Sequence, residues 1–377
     1  MKKIDRLSVK TPLRVAGLMT GTSMDGLDIC VADVSFDTDF VEFKVIKSAT
    51  ILFPSDLRET IKQSRSSSTA LVCELNYDLG RFYAETINQF LNDFRIDDID
   101  VVAMHGQTIH HTSGKATLQI GEPSFLAETL GVPVVSDFRA RDISVGGTGA
   151  PLIPIVDRWL FQKDDTAIIS LNIGGIANVT YLPSRKDGGE IIGFDTGPGM
   201  CLLDDVCFIL AGDTFDDEGK MANDGIPDES LVEKWLQDPF VTDDPPKSTD
   251  REDFGREWLN NNIQNMRDWK MPDLLASLSL FTIRSIAVNC GRFMNLDKVS
   301  QIIVSGGGVH HRPLMAFLTE EFDPIPVITT REMGIDPDRK EALGFALLGA
   351  AYFREIPGNI PSVTGARKSV VLGKLTL

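Results

Sequence analysis

Asp195 stands in "GFDTGPG", at the end of an apolar run and just before a glycine-rich turn. Open α/β sheets place ligands beyond the carboxyl ends of their strands, and a carboxylate there can take a proton from water or a hydroxyl. The competing role for Asp195 is a cap on the helix that follows Pro198. Small residues gather at three further strand ends: 21–26 in "GLMTGTSMDGLD", Gly174 and Gly175 in "LNIGGIANVTYL", and Gly306, Gly307 and Gly308 in "SGGGVH". Glycine lets the backbone approach a ligand closely, and consecutive exposed N–H groups make a concavity suited to phosphate oxygens. Taken singly, each turn reads as an ordinary hairpin or βα turn; three together can surround one polyphosphate. In the first turn Asp25 suits a Mg²⁺ ion held partly through waters, or else an Asx turn that shapes the hairpin, and Asp28 falls within the strand that follows.

Two common phosphate motifs are absent. G-x-x-x-x-G-K-[ST] does not occur, and an apolar strand, not a helix, follows Gly26. "SGGGVH" also fails the G-x-G-x-x-G dinucleotide pattern with its downstream acidic residue.

The elements that must position these residues alternate in type. A hairpin opens the chain, a helical stretch follows in "SSTALVCELNYDLGRFYAETINQFLNDF", and then come the apolar strand "IDVVAMHGQTI", "ATLQIG", the helix "SFLAETLG" and the strand "VPVVSDF". Such βα alternation predicts a largely parallel sheet covered by helices. "SVGGTGAPLIPIVDRWLF" reads as a loop feeding a helix and as the crossing into a second domain. "AIISLNIGGIANVTYL" then repeats the strand, small-residue turn and strand of the opening, the pattern of an internal duplication. The expected domains are 1–160 and 161–377, with the C-terminal segment able to pack back onto the first. The last helical stretch, "RKEALGFALLGAAYF", carries Ala and Gly on most faces and so permits close approach to another helix.

A chain of 377 residues with 42% hydrophobic content is long enough for two such domains. Its formal charge of −17 is opposite to the basic footprint that nucleic acid or an anionic membrane attracts, so neither is an expected partner. Local donors must hold any anionic ligand against that field. The five cysteines are scattered, with no C-x-x-C pair. With no apolar stretch near the start and no run of about 18 apolar residues, they point to reduced thiols in a cytoplasmic protein.

"GLMTGTSMDGLD", "HGQTIHH", "LQIGEPSFLAE", "DFRARDISVGGTGAPLIP", "LNIGGIANVTYL", "GFDTGPGM", "PKSTDREDF", "SGGGVHHRPLM" and "EALGFALLG" occur in the order found in anhydro-N-acetylmuramic acid kinases, which the chain resembles over nearly its whole length. The resemblance implies a two-domain actin/hexokinase-like (ribonuclease H-like) α/β fold with an interdomain ATP cleft. It implies ATP and Mg²⁺ as cofactors, a small sugar as substrate, and a homodimer. Its nucleotide-binding stretch carries over onto Gly21, Thr22, Ser23, Met24, Asp25, Gly26, Leu27 and Asp28, with Asp25 orienting Mg²⁺; Gly174, Gly175, Asn178, Gly306, Gly307 and Gly308 are further nucleotide-side candidates. Asp195 matches the family's general base. His105, Gln107 and Arg139 match the lining of the pocket for the sugar and its lactyl carboxylate, and Glu341 is a further residue near the substrate. Met200 departs from the family, which usually has a small polar Asn after "GPG". The implied reaction opens the 1,6-anhydro ring of anhydro-N-acetylmuramic acid with water and phosphorylates O6, giving N-acetylmuramic acid 6-phosphate and ADP. A general amino-sugar or hexose kinase, and an actin-like or chaperone-like ATPase, are the alternatives from the same fold.

Overall fold

The computed structural model describes every residue except 1, 22, 23, 38, 39 and 65. Among the described residues lie thirteen strands: β1 Leu13–Met19, β2 Gly26–Asp37, β3 Phe40–Leu52, β4 Val101–Met104, β5 Gln107–Thr112, β6 Ala116–Ile120, β7 Val134–Ser136, β8 Ala167–Ile173, β9 Ile176–Leu182, β10 Ile192–Pro198, β11 Val299–Ser305, β12 Val327–Thr329 and β13 Lys374–Thr376. Residue contacts divide the chain into two units, Met1–Leu160 with Arg339–Leu377, and Phe161–Asp338.

The first unit is built on the sheet β13-β7-β4-β1-β2-β3 and the second on β10-β9-β8-β11-β12. Each starts with an antiparallel meander, β1-β2-β3 or β8-β9-β10, and then adds parallel strands beside its first strand. The shared order, third-second-first-fourth-fifth, makes each unit one copy of the ribonuclease H-like α/β fold and gives structural form to the repeated hairpin seen in the sequence. The sheets are mixed where largely parallel ones were expected, because tight hairpins connect only antiparallel neighbours.

Strand alternation sorts β1 into two faces. Ala16 and Leu18 join the core under the helix Thr69–Asp93, whose Leu75, Leu79, Tyr83 and Ile87 recur every fourth residue along one stripe. Gly17, on the opposite face, lies against the helix Lys340–Phe353: a Cβ built on Gly17 would stand 2.0 Å from the Ala342 carbonyl oxygen. Gly349 meets Ala103 of β4 in the same manner, at 2.5 Å. The small residues of the last helix therefore serve close helix-on-sheet contact, and they seat 339–377 in the first unit.

In the second unit the helix Met271–Phe293 is long and apolar enough to cross a bilayer by length and composition, yet most of it is buried in that unit's own core. Trp235 and Trp258 pack against its Phe281, the Trp258 ring stacked on that of Phe281 at 5.4 Å between centroids.

Candidate active site

In the second unit the site is built on the ends of four strands. Asp195 of β10 pairs with Asn178 of β9, Asn178 with Asn172 of β8, and Asn172 with Ser305 of β11. Directly paired residues share a face, so these four polar side chains form a row across the sheet. Ser305 Oγ donates to Asn172 Oδ1 over 3.3 Å. Asn172 was not singled out from the sequence, although a lone Asn ending the apolar run "AIISLNI" was the signal for it.

Asp195 is not a helix cap. β10 continues to Pro198 through an irregularity at Thr196, and the next helix, Cys201–Ala211, has Met200 at its N-cap. The segment "PKSTDREDF" instead lies along Asp195. The Thr249 N–H donates to Asp195 Oδ2 over 3.0 Å, and the Asp195 N–H donates to the Lys247 carbonyl over 3.3 Å. Lys247 anchors that segment by donating to the Phe240 and Val241 carbonyls, and burial pushes its ammonium down to about 8. Burial also pushes the Asp195 carboxyl up to about 6, opposed by the Thr249 N–H that favours the ionised form. The side chain stays partly exposed. A carboxylate with this basicity and access is suited to accept a proton near neutral pH.

The glycine turns differ in what they face. A Cβ on Gly306 would meet Asn172 Oδ1 at 2.6 Å and one on Gly308 would meet Ile173 at 2.6 Å, so both positions are taken up by packing on β8. Over Gly307 nothing lies within 4 Å, and over Gly174 the nearest atom is the Ile176 carbonyl oxygen at 3.7 Å. Backbone N–H groups of Met200 and Gly199 hold the carbonyls of Gly174 and Gly175. Met200 thus braces the turn through its main chain while its side chain packs on the core.

In the first unit Thr22 and Ser23 lie outside the described residues. Around them the β1–β2 hairpin is firmly registered, Met19 opposite Asp28. Gly26 is required by β3, since its Cβ would stand 2.4 Å from the Ile51 carbonyl oxygen, and Leu27 points into the core. Met24 is buried, with φ of 55°. Asp28 accepts from Thr50 Oγ1 over 2.6 Å, and Thr50 Oγ1 accepts in turn from Arg339 Nε over 3.2 Å, which marks Asp28 as a tie between strands. Asp25 is half-exposed and ion-paired with Arg58. Among the described residues no group of three His, Cys, Asp or Glu side chains could hold a metal ion. Asp25 therefore fits Mg²⁺ only as a single carboxylate for an ion already carried on phosphate oxygens, and only by exchanging Arg58 for it.

The sugar-side candidates do converge. Arg139 Nε donates to His105 Nε2 over 3.0 Å, and its Nη1 donates to the Gly149 carbonyl over 3.1 Å. Burial lowers Arg139 to about 10, opposed by the charge of Glu341, which leaves the guanidinium protonated at neutral pH. Burial raises the Glu341 carboxyl, with Lys340 and Arg139 pulling it back down. Burial beside Arg139 holds His105 well below its ordinary value, so the ring is neutral; because Nε2 accepts from Arg139, the proton sits on Nδ1. Gln107 Nε2 reaches the Gly21 carbonyl over 3.4 Å, which joins this group to the hairpin turn. Among the described residues, His105 Nδ1, Gln107 Oε1 and Thr20 Oγ1 are buried without a hydrogen-bond partner. Orphaned polar atoms cost about 1–3 kcal/mol each, and three of them close to the ends of β1 and β4 would be satisfied by a polar ligand. Thr20 had not been singled out, because one Thr ahead of a glycine carries no distinctive spacing.

Comparison with known proteins bears directly on this arrangement. The family model described as anhydro-N-acetylmuramic acid kinase matches residues 13–377. A protein of that name from Salinibacter ruber is 38% identical, over 96% of this chain and 96% of its own. Those from Clostridioides difficile and Bacillus cereus (strain AH187) are 34% and 33% identical, each over 96% of this chain and 97% and 98% of their own. With a match that runs through both units and every motif described above, the chain belongs to the anhydro-N-acetylmuramic acid kinase family.

Proposed function

We propose that the chain uses ATP and water to convert 1,6-anhydro-N-acetylmuramic acid into N-acetylmuramic acid 6-phosphate and ADP, with Asp195 as the general base. The substrate has no free 6-hydroxyl, because O6 is tied to C1. Water attacks C1, the C1–O6 bond breaks, O6 forms a bond to the γ-phosphorus, and the bond from that phosphorus to the β-phosphate oxygen breaks. The proton of the attacking water passes to Asp195. The phosphorus captures the leaving oxygen, so a single carboxylate can serve where glycosidases use two. The single observation that carries the assignment is the Asp195 carboxyl, held on one oxygen by the Thr249 N–H and raised by burial to about 6.

In the first unit, Arg139 is suited to bidentate binding of the lactyl carboxylate, and His105 Nδ1–H and Gln107 Oε1 offer a donor and an acceptor to the sugar. Glu341 sets the charge beside Arg139. The β- and γ-phosphates are assigned to the turn 21–28. In the second unit Gly307 has nothing over it, Gly174 and Gly175 form a turn with the Arg251 side chain over Gly175, and Asn178 flanks Asp195. Mg²⁺, carried on the phosphates and met by Asp25, would neutralise charge on the transferred group. The reading makes the protein a cytoplasmic enzyme of amino-sugar recycling, and its family makes a homodimer the expected assembly.

Turnover in ¹⁸O-water followed by mass spectrometry tests the reaction. The expected product carries the label at C1, and unlabelled product would remove the water-opening step. The pH profile tests the base. The ionised form is the active one, so kcat/KM should rise with pH up to about 6 and level off above it. A profile flat between pH 5 and 7 would count against Asp195.

A further inference from the structure

We propose that Asp142 and the C-terminal segment around Asn359 and Thr364 form a strut that positions Arg139 for the carboxylate of the substrate. The inference rests on the reading of Arg139 given above and extends it to residues that touch neither substrate.

Asp142 is fully buried in the helix Phe138–Ser144, one turn beyond Arg139. Its Oδ2 accepts the Gly149 N–H over 2.8 Å, and its Oδ1 accepts from Asn359 Nδ2 over 2.7 Å and from Thr364 Oγ1 over 2.8 Å. Gly149 is the residue whose carbonyl receives Arg139 Nη1. A continuous path therefore runs from the C-terminal segment through one buried carboxylate to the loop that aims the guanidinium, and from there to His105.

The loop has no slack against this carboxylate. A Cβ on Gly147 would stand 2.1 Å from Asp142 Oδ2, and Gly146 and Gly149 both adopt positive φ. The far end is fixed as firmly. The Thr148 N–H donates to the Thr364 carbonyl over 2.8 Å, the Arg367 N–H donates to the Val145 carbonyl over 3.0 Å, and the Val370 N–H donates to Asn359 Oδ1 over 2.7 Å. Arg139 has few rotamers open to it once both of its acceptors are held, so the strut removes conformational freedom that carboxylate binding would otherwise have to remove.

Thr364→Val keeps the shape of the side chain and deletes one donor to Asp142. Its expected effect is a rise in KM for the anhydro-sugar of about three- to tenfold, the range for one lost hydrogen bond, with the KM for ATP unchanged and kcat falling by less than KM rises. Thr364→Ser restores the donor and should restore KM. Asp142→Asn should raise the same KM further; if that variant does not fold, the Thr364 pair still decides. An unchanged sugar KM in Thr364→Val, or equal changes in both KM values and kcat reversed by no hydroxyl, would overturn the proposal. Arg139→Ala separates the two layers. If it leaves sugar KM unchanged, the reading of Arg139 itself fails; if it raises KM while Thr364→Val does not, only the strut fails.

Discussion

Asp195→Asn should lower kcat by at least about 10²-fold while ATP still binds, since removal of a positioned general base costs about 10²- to 10⁴-fold. Asn keeps the size of the side chain, and its amide can still accept the Thr249 N–H through oxygen. What it loses is the capacity to take a proton. The decisive measurement pairs steady-state turnover with nucleotide binding by calorimetry. Near-normal turnover would remove Asp195 from the chemistry, and lost ATP binding would show that the exchange had damaged the second unit instead. The surviving activity should also lose its rise toward pH 6, because that rise belongs to this carboxyl.

The second large effect concerns stability. Lys340 Nζ donates to Asp157 Oδ1 over 2.8 Å, and both side chains are almost wholly buried. Removing one partner of a buried pair leaves the other charge short of its counter-ion in a medium that solvates it poorly, at a cost of about 3–5 kcal/mol. Lys340→Met should therefore destabilise the first unit by about that amount in urea unfolding. The paired change of Lys340→Met with Asp157→Leu should recover most of the loss, since two apolar groups of similar volume carry no desolvation cost. A single variant within about 0.5 kcal/mol of the parent, the scale of an ordinary surface substitution, would show that the pair contributes little. The same substitution bears on the site. Lys340 is the first charge that holds the neighbouring Glu341 carboxyl down, so its loss should let burial raise Glu341 further and weaken the electrostatic partner of Arg139.

These two predictions differ in how far the sequence led toward them. Asp195 was legible because "GFDTGPG" joins an apolar strand, a carboxylate and a glycine turn within seven residues. Its competing role as a cap was settled only by β10 running on to Pro198. The Lys340–Asp157 pair spans 183 residues, and no local pattern announces it. Arg139, His105 and Glu341 stood out as separate motifs, and their convergence depends on the last helix seating on β1 and β4 through Gly17 and Gly349. The segment "PKSTDREDF" carries no local sign of a role; the fold brings its Thr249 amide onto Asp195 from 54 residues away.

The sequence by itself determined the two hairpins, the helices of fourfold apolar spacing and the small-residue turns, since each is encoded by neighbours a few positions apart through strand alternation, helical period and backbone freedom. Only the tertiary structure decided that residues 339–377 complete the first unit, that burial raises the Asp195 carboxyl to about 6, and that Arg139 is clamped between His105 and Gly149. Burial and charge proximity depend on groups that meet after the chain has folded, and a one-dimensional pattern carries no measure of either.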